Sequence, residues 1–185
     1  MLVRLFNIIL INERIPEEWK QSELIIIYKS GDTENVKNYR PISLLSHVYK
    51  VFVKVLLART QNKMDDYQPR EQAGFRKGFS TTDHLQVVTQ LIEKADEYQQ
   101  CLCLGFIDFE KAFDSVEHSF ILEALREEGI ESKYIKIIEN IYNGSKSFIE
   151  MEGVREWIDI NRGVRMVGKT VYGWTTEDIQ GDGLG

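Results

Sequence analysis

Residues 101–107 read CLCLGFI, and an aspartate, Asp108, follows at once. Successive side chains of an extended chain point to opposite faces. Leu102, Leu104, Phe106 and Asp108 would therefore share one face, with Cys103, Gly105 and Ile107 on the other. Both faces are apolar, which fits a strand covered on both sides, near the middle of a sheet. This predicts a central strand over 101–107. Ending such a strand in a carboxylate has two readings. Either the strand simply runs out into solvent, or Asp108 stands at the carboxyl end of a central strand, where sites tend to be built. A carboxylate beside a backbone carbonyl there suits a hard divalent cation.

The flanking segments alternate between strand and helix patterns. LIIIY at 24–28 reads as a strand. A polar loop with Ser30, Gly31, Asp32, Asn35 and Asn38 follows, and Pro41 biases Arg40 to an extended backbone. Two strands or arms joined by that loop would carry Lys29 at one end and Arg40 at the other. Helical spacing of Val48, Val51, Phe52, Val55 and Leu56 predicts a helix over 46–62. MDDYQPREQAGFRKGF, residues 64–79, reads as loop. Ser80 and Asp83 have the spacing of a capping box. Leu85, Val88, Leu91, Ile92 and Ala95 mark the face of the helix behind it, ending near Tyr98. Asp114 fits a helix N-cap, a structural role of about 1 kcal/mol, and Gly129 fits the stop of that helix. A further helix is predicted over 132–142, with Ile135, Ile138 and Ile141 inward. Residues 147–160 alternate at period two around Glu152-Gly153, a hairpin signal.

The chain has 185 residues, 43% of them hydrophobic, enough for one sizeable core or one domain with a lobe. Its net charge of -6 argues against non-specific nucleic-acid binding by the whole surface. Local cationic groups remain: Lys29, Lys37 and Arg40, and Arg70, Arg76 and Lys77. No apolar run reaches the roughly 20 residues of a membrane span. The first residues resemble a signal peptide only weakly, because Asn7 and Asn12 break the apolar part and no small-residue cleavage site follows. An amphipathic helix stopped before Pro16 is expected instead. Cys101 and Cys103 are expected as two buried free thiols of an intracellular, reducing compartment, nuclear or cytoplasmic. His47, His84 and His118 are too scattered for a zinc site.

Five segments, in order, are similar to the reverse transcriptase domain of non-LTR (LINE-type) retrotransposons: IPEEWKQSELIIIYKSGD, NYRPISLL, EQAGFRKGFSTTDHL, FIDFEKAFDSV and GVR. The resemblance implies an α+β chain, a partial right-hand polymerase fold with fingers and part of the palm. Helices would pack on a small, mostly antiparallel sheet, without a thumb. It implies a helical lead-in over 1–23, a fingers-like region over 24–100, a partial palm over 101–165 and an aberrant, disordered tail over 166–185. Residue by residue, Asp108 matches a catalytic, metal-binding aspartate of the palm, with the Phe109 carbonyl beside it. Phe113 matches the aromatic that packs under the sugar of the incoming nucleotide; otherwise it is a core residue of the following helix. Lys29 and Arg40 match the cations that meet the triphosphate, and fixed positive charge is what a triphosphate requires. Gln72, Gly74, Phe75, Arg76 and Lys77 match the segment lining the template path, where cations on phosphates position without reading sequence. The implied partners are an RNA template, a DNA primer and a deoxynucleoside triphosphate, with no membrane. The implied cofactor is Mg²⁺, two ions in an intact parent.

The resemblance is incomplete. The family's second metal-binding element, an aromatic-x-Asp-Asp hairpin, has no counterpart after Asp108. The Asp65-Asp66 pair lies upstream and reads as solvated loop. Gln180-Gly181-Asp182 resembles the continuation of GVR, displaced by residues 166–179, which look foreign to the domain. The chain is therefore expected to be a C-terminally truncated polymerase fragment, inactive by itself and marginally stable, because an incomplete sheet leaves apolar surface uncovered. The alternatives are a non-catalytic nucleic-acid-binding remnant and a translated pseudogene without function.

Overall fold

Six α-helices and four strands form among the described residues of the computed structural model, namely 1–69, 71, 72, 74, 78, 80–109 and 111–164. The expected tail over 166–185, with its displaced Gln180-Gly181-Asp182, lies outside them.

Helix α1, Leu2–Asn12, ends where Glu13 turns left-handed, and it buries Phe6 and Ile9. Pro16 then opens a single 3-10 turn, Glu17–Lys20, which drives Trp19 into the core. Helix α2, His47–Tyr67, supplies the centre of that core. Phe52 is fully buried, its ring 5.3 Å from Phe6 and 5.6 Å from Trp19. The inward face of α2 is set by Tyr49, Phe52, Leu56 and Thr60, spaced three and four apart as one side of a helix requires. Val51, expected inward, faces solvent. Helices α5, His118–Glu127, and α6, Ser132–Tyr142, close the core with Leu122, Leu125, Ile135, Ile137 and Ile141. The α6 bounds and the Gly129 stop, at φ +69°, match expectation.

The sheet has the order β2-β1-β3-β4, from Gln21–Tyr28 (β1), Tyr39–Leu44 (β2), Lys146–Met151 (β3) and Val154–Asp159 (β4). β1–β2 and β3–β4 are antiparallel hairpins; β1 and β3 run parallel over three residue pairs. Ser22 and Ser147 face each other at that parallel join, buried, their hydroxyls 2.7 Å apart. The fold is mixed α/β with two antiparallel ladders and one parallel ladder. The β3–β4 turn is the expected one, with Glu152 at φ 52° and Gly153 at φ 81°.

Four expectations are corrected. Residues 101–107 form no strand, and the segment through Phe109 is irregular and exposed. A strand needs neighbours for its N–H and C=O groups. Both edges of β1 are already taken, by β2 and β3, and no described strand lies beside 101–107. For the same reason Cys101 and Cys103 are free but exposed, not buried. Asp65 and Asp66 lie on α2 and not in a loop, because nothing breaks the helix before Pro69. That proline holds Gln68 extended, at ψ 128°. Asp114 caps no helix. It sits inside a one-turn helix, α4, Ala112–Ser115, and Val116 is extended, so α5 starts later with Glu117 as its N-cap.

Helix α3, Thr81–Glu97, begins as expected, with the Ser80 amide donating to Asp83 Oδ2 at 2.7 Å. None of its residues is buried. Among the described residues no helix is long and apolar enough to cross a membrane.

Candidate active site

The β1–β2 arm is held by its own polar loop. The Lys29 amide donates to the Asn38 carbonyl at 2.8 Å, extending the ladder past Tyr28↔Tyr39. Gly31 takes φ +101°, which a side chain at that position would resist. Asn38 Nδ2 donates to Asp32 O at 2.8 Å, Tyr28 Oη to Gly31 O at 2.6 Å and Tyr39 Oη to Thr33 O at 2.8 Å. Asp32 and Asn35 accept the amides of Glu34 and Lys37, closing two Asx turns. The tip is therefore rigid, with the Tyr28 and Tyr39 rings 5.5 Å apart. Lys29, Lys37 and Arg40 are exposed there, and none makes an ion pair among the described residues. Fixed, unneutralised positive charge of this kind suits a phosphate-bearing ligand.

Asp108 and Phe109 stand side by side on the irregular segment, both exposed. Phe113 is half exposed on α4 and is not a core residue. Sequence reasoning gave GVR no structural part, but Gly163 and Val164 lock this region. The Gly163 amide donates to Val116 O and the Val164 amide to Phe113 O, each at 2.8 Å. His118 Nε2 sits 3.1 Å from Gly163 O, and Arg162 Nη2 lies 3.2 Å from Glu117 Oε1. Gly163 adopts φ +91°, and a Cβ there would lie 3.2 Å from the Asp114 carbonyl oxygen. Only glycine fits this approach. Its signal in the sequence was a glycine just beyond the β3–β4 hairpin.

The structure thus brings Lys29 and Arg40 together on one arm, and ties Phe113 and Asp114 to Gly163 and Val164. Gln72 and Gly74 are joined by a 3.1 Å hydrogen bond from Gln72 Nε2 to Gly74 O. Phe75, Arg76 and Lys77 lie outside the described residues. No described hydrogen bond or ion pair links the arm to Asp108.

The metal-ligand set is short. A hard divalent cation such as Mg²⁺ takes about six oxygen ligands. Asp108 with the Phe109 carbonyl offers a start, but no group of three His, Cys, Asp or Glu gathers among the described residues. These residues do not fit a two-ion centre.

Comparison with known proteins points one way. The sequence profile described as "Reverse transcriptase (RNA-dependent DNA polymerase)" matches residues 27–167. A probable RNA-directed DNA polymerase from transposon BS of Drosophila melanogaster is 32% identical over 96% of this chain and 20% of its own length. A probable RNA-directed DNA polymerase from transposon X-element of the same fly is 37% identical over 61% of this chain and 13% of its own. The Pol polyprotein of the type-1 retrotransposable element R2 of Nasonia vitripennis is 29% identical over 87% of this chain and 16% of its own. The chain spans about a fifth or less of the length of these relatives.

Proposed function

From the premise that this chain belongs to the reverse transcriptase (RNA-dependent DNA polymerase) family, in its non-LTR retrotransposon branch, we propose that it contributes the nucleotide-facing part of an RNA-directed DNA polymerase. Residues 24–100 act as a fingers-like region behind the lead-in 1–23, and 101–165 as part of a palm. The ligands are an RNA template, a DNA primer and a deoxynucleoside triphosphate.

The observation that carries this reading is the pinned β1–β2 arm. Lys29 and Arg40 are presented by a loop whose own hydrogen bonds hold it, so positive charge is preorganised where a triphosphate is to be met. Gln72 and Gly74, with Phe75, Arg76 and Lys77, line the template path. Phe113, anchored through its carbonyl to Val164, offers an exposed ring on which a sugar can pack.

The family uses divalent metal ions. In this reading Asp108 and the Phe109 carbonyl are one ligand pair for Mg²⁺, whose bound form supplies charge stabilisation during nucleotidyl transfer. The described residues do not complete that site, and the chain's own expected contribution is binding and orientation.

Binding of a fluorescent RNA–DNA primer–template with deoxynucleoside triphosphate tests the reading. The chain should bind with affinity that falls as salt rises. Lys29→Ala with Arg40→Ala should leave primer–template binding in place and weaken binding of the deoxynucleoside triphosphate to that complex, most at low salt. Unchanged triphosphate affinity in the double variant would remove the arm from the site. In a polypeptide of the relatives' length carrying this sequence, Asp108→Asn should abolish primer extension while Asp114→Asn spares it. Equal losses at equal folded fraction would overturn this assignment of roles.

A further inference from the structure

His118 is the first residue of α5, and it belongs to no metal-ligating group among the described residues. Its side chain is half-buried. The ring stacks on that of Tyr142 on α6, with centroids 4.3 Å apart and planes at 30°. Tyr142 is itself buried. His118 Nε2 stands 3.1 Å from Gly163 O. A carbonyl oxygen only accepts, so Nε2 carries the proton and donates. The acceptor matters because of what shares its peptide unit. Gly163 C=O and Val164 N–H are two ends of one planar group. The Val164 amide donates to Phe113 O at 2.8 Å. His118 therefore reaches the backbone of Phe113 through a single peptide plane. A plane held only at its N–H can still swing; held at both ends, it moves only by breaking a bond. Donation to the oxygen also polarises the unit and strengthens its N–H as a donor. Two other ties of this strap, Gly163 N to Val116 O and Arg162 to Glu117, lie between 116–117 and 162–163. The His118 tie carries the strap onward to α6, through Tyr142.

We propose that His118 is a positioning residue for the sugar of the incoming nucleotide: it fixes the 163–164 peptide plane, and that plane fixes Phe113. This rests on the reading of Phe113 as the surface on which the sugar packs. His118 itself touches no substrate. Without its bond, the sugar must order the strap as it binds, and that ordering costs affinity. The net worth of one hydrogen bond sets the size of the effect, about 2- to 12-fold.

Substitutions at 118 separate the hydrogen bond from the ring stack. His118→Phe keeps a ring over Tyr142 and loses the donor. His118→Asn places its amide where Nδ1 lies, so it loses the bond without adding bulk. His118→Gln loses the ring but carries an N–H donor near the place of Nε2. The full chain is read two ways at equal folded fraction: by amide exchange at Val164, and by deoxynucleoside triphosphate affinity for its primer–template complex. His118→Phe and His118→Asn should speed Val164 exchange and weaken triphosphate binding, each by about 2- to 12-fold. His118→Gln should stay within about twofold of wild type in both readouts. A packing role alone predicts the opposite ranking, with Phe above Gln, and that ranking would overturn the proposal. In a Phe113→Ala background, His118→Phe should weaken the triphosphate no further, because it acts through Phe113. A further loss there would overturn the proposal. So would His118→Phe or His118→Asn matching wild type in either readout while Phe113→Ala weakens binding. A chain that binds no triphosphate, or whose Phe113→Ala variant binds it unchanged, would overturn the reading of Phe113 and the proposal with it.

Discussion

Gly163→Ala is expected to loosen the lock that holds α4. The left-handed backbone costs a residue with a Cβ about 1–2 kcal/mol, and Gly163 sits at φ +91°. The added methyl would also lie 3.2 Å from Asp114 O and 3.3 Å from Asp114 Cα. Those are backbone atoms, so relief requires moving α4 and not merely a side chain. We expect a combined cost of roughly 2–3 kcal/mol, which corresponds to about 30- to 150-fold. It falls on two amide bonds of 2.8 Å, Gly163 to Val116 and Val164 to Phe113. Native-state amide exchange at Val164 reads it directly, and that amide should exchange faster by this factor. Gly144→Ala is the control. Gly144 has φ +73°, and a methyl added there would meet nothing within 4 Å, so it isolates the backbone cost on a different segment. It should lower global stability by about 1–2 kcal/mol and leave Val164 exchange within about twofold, because that amide opens locally. A Gly163→Ala chain whose Val164 exchange also stays within about twofold of wild type would refute the argument.

Phe52→Ala should cost about 3–5 kcal/mol by denaturant titration, enough to unfold much of a marginal domain; a cost comparable to a surface change would mean that the three-ring cluster is not the centre of the core. Ser22→Ala should cost about 1–3 kcal/mol by leaving the buried Ser147 hydroxyl without its Ser22 partner, and Ser147→Ala should cost less, because Ser22 Oγ keeps the Lys146 carbonyl at 3.5 Å; the double variant should cost less than the two together, as a double-mutant cycle will show. Glu128 is pushed above the ordinary carboxylate range by burial, and its Oε2 has no hydrogen-bond partner among the described residues. A raised folded-state value means that its contribution favours the fold below the ordinary carboxylate range and is lost as pH rises through the raised value. Glu128→Gln should therefore raise stability near neutral pH by no more than about 0.5 kcal/mol, a gain that vanishes in acid; an equal gain at both pH values would contradict that assignment.

Local rules determined much of this chain. The helix over 132–142, the stop at Gly129, the Ser80–Asp83 capping box and the Glu152-Gly153 turn depend on neighbours within a few residues, and they form as read. The motif residues Lys29 and Arg40 also fall at the loop end of one hairpin, because the polar loop between two β-forming runs dictates it. Tertiary structure decided the rest. Residues 101–107 have the composition of a central strand, but a strand exists only where another backbone lies alongside, and that is not a property of the segment. Burial of both cysteines depended on the same missing neighbour. The parallel join of β1 to β3 brings residues about 125 apart in sequence into contact, where pairing is decided by how closely two serines let the strands and helices pack. Gly163 needs its special backbone only because Asp114 lies against it, a proximity that no periodicity in the sequence encodes.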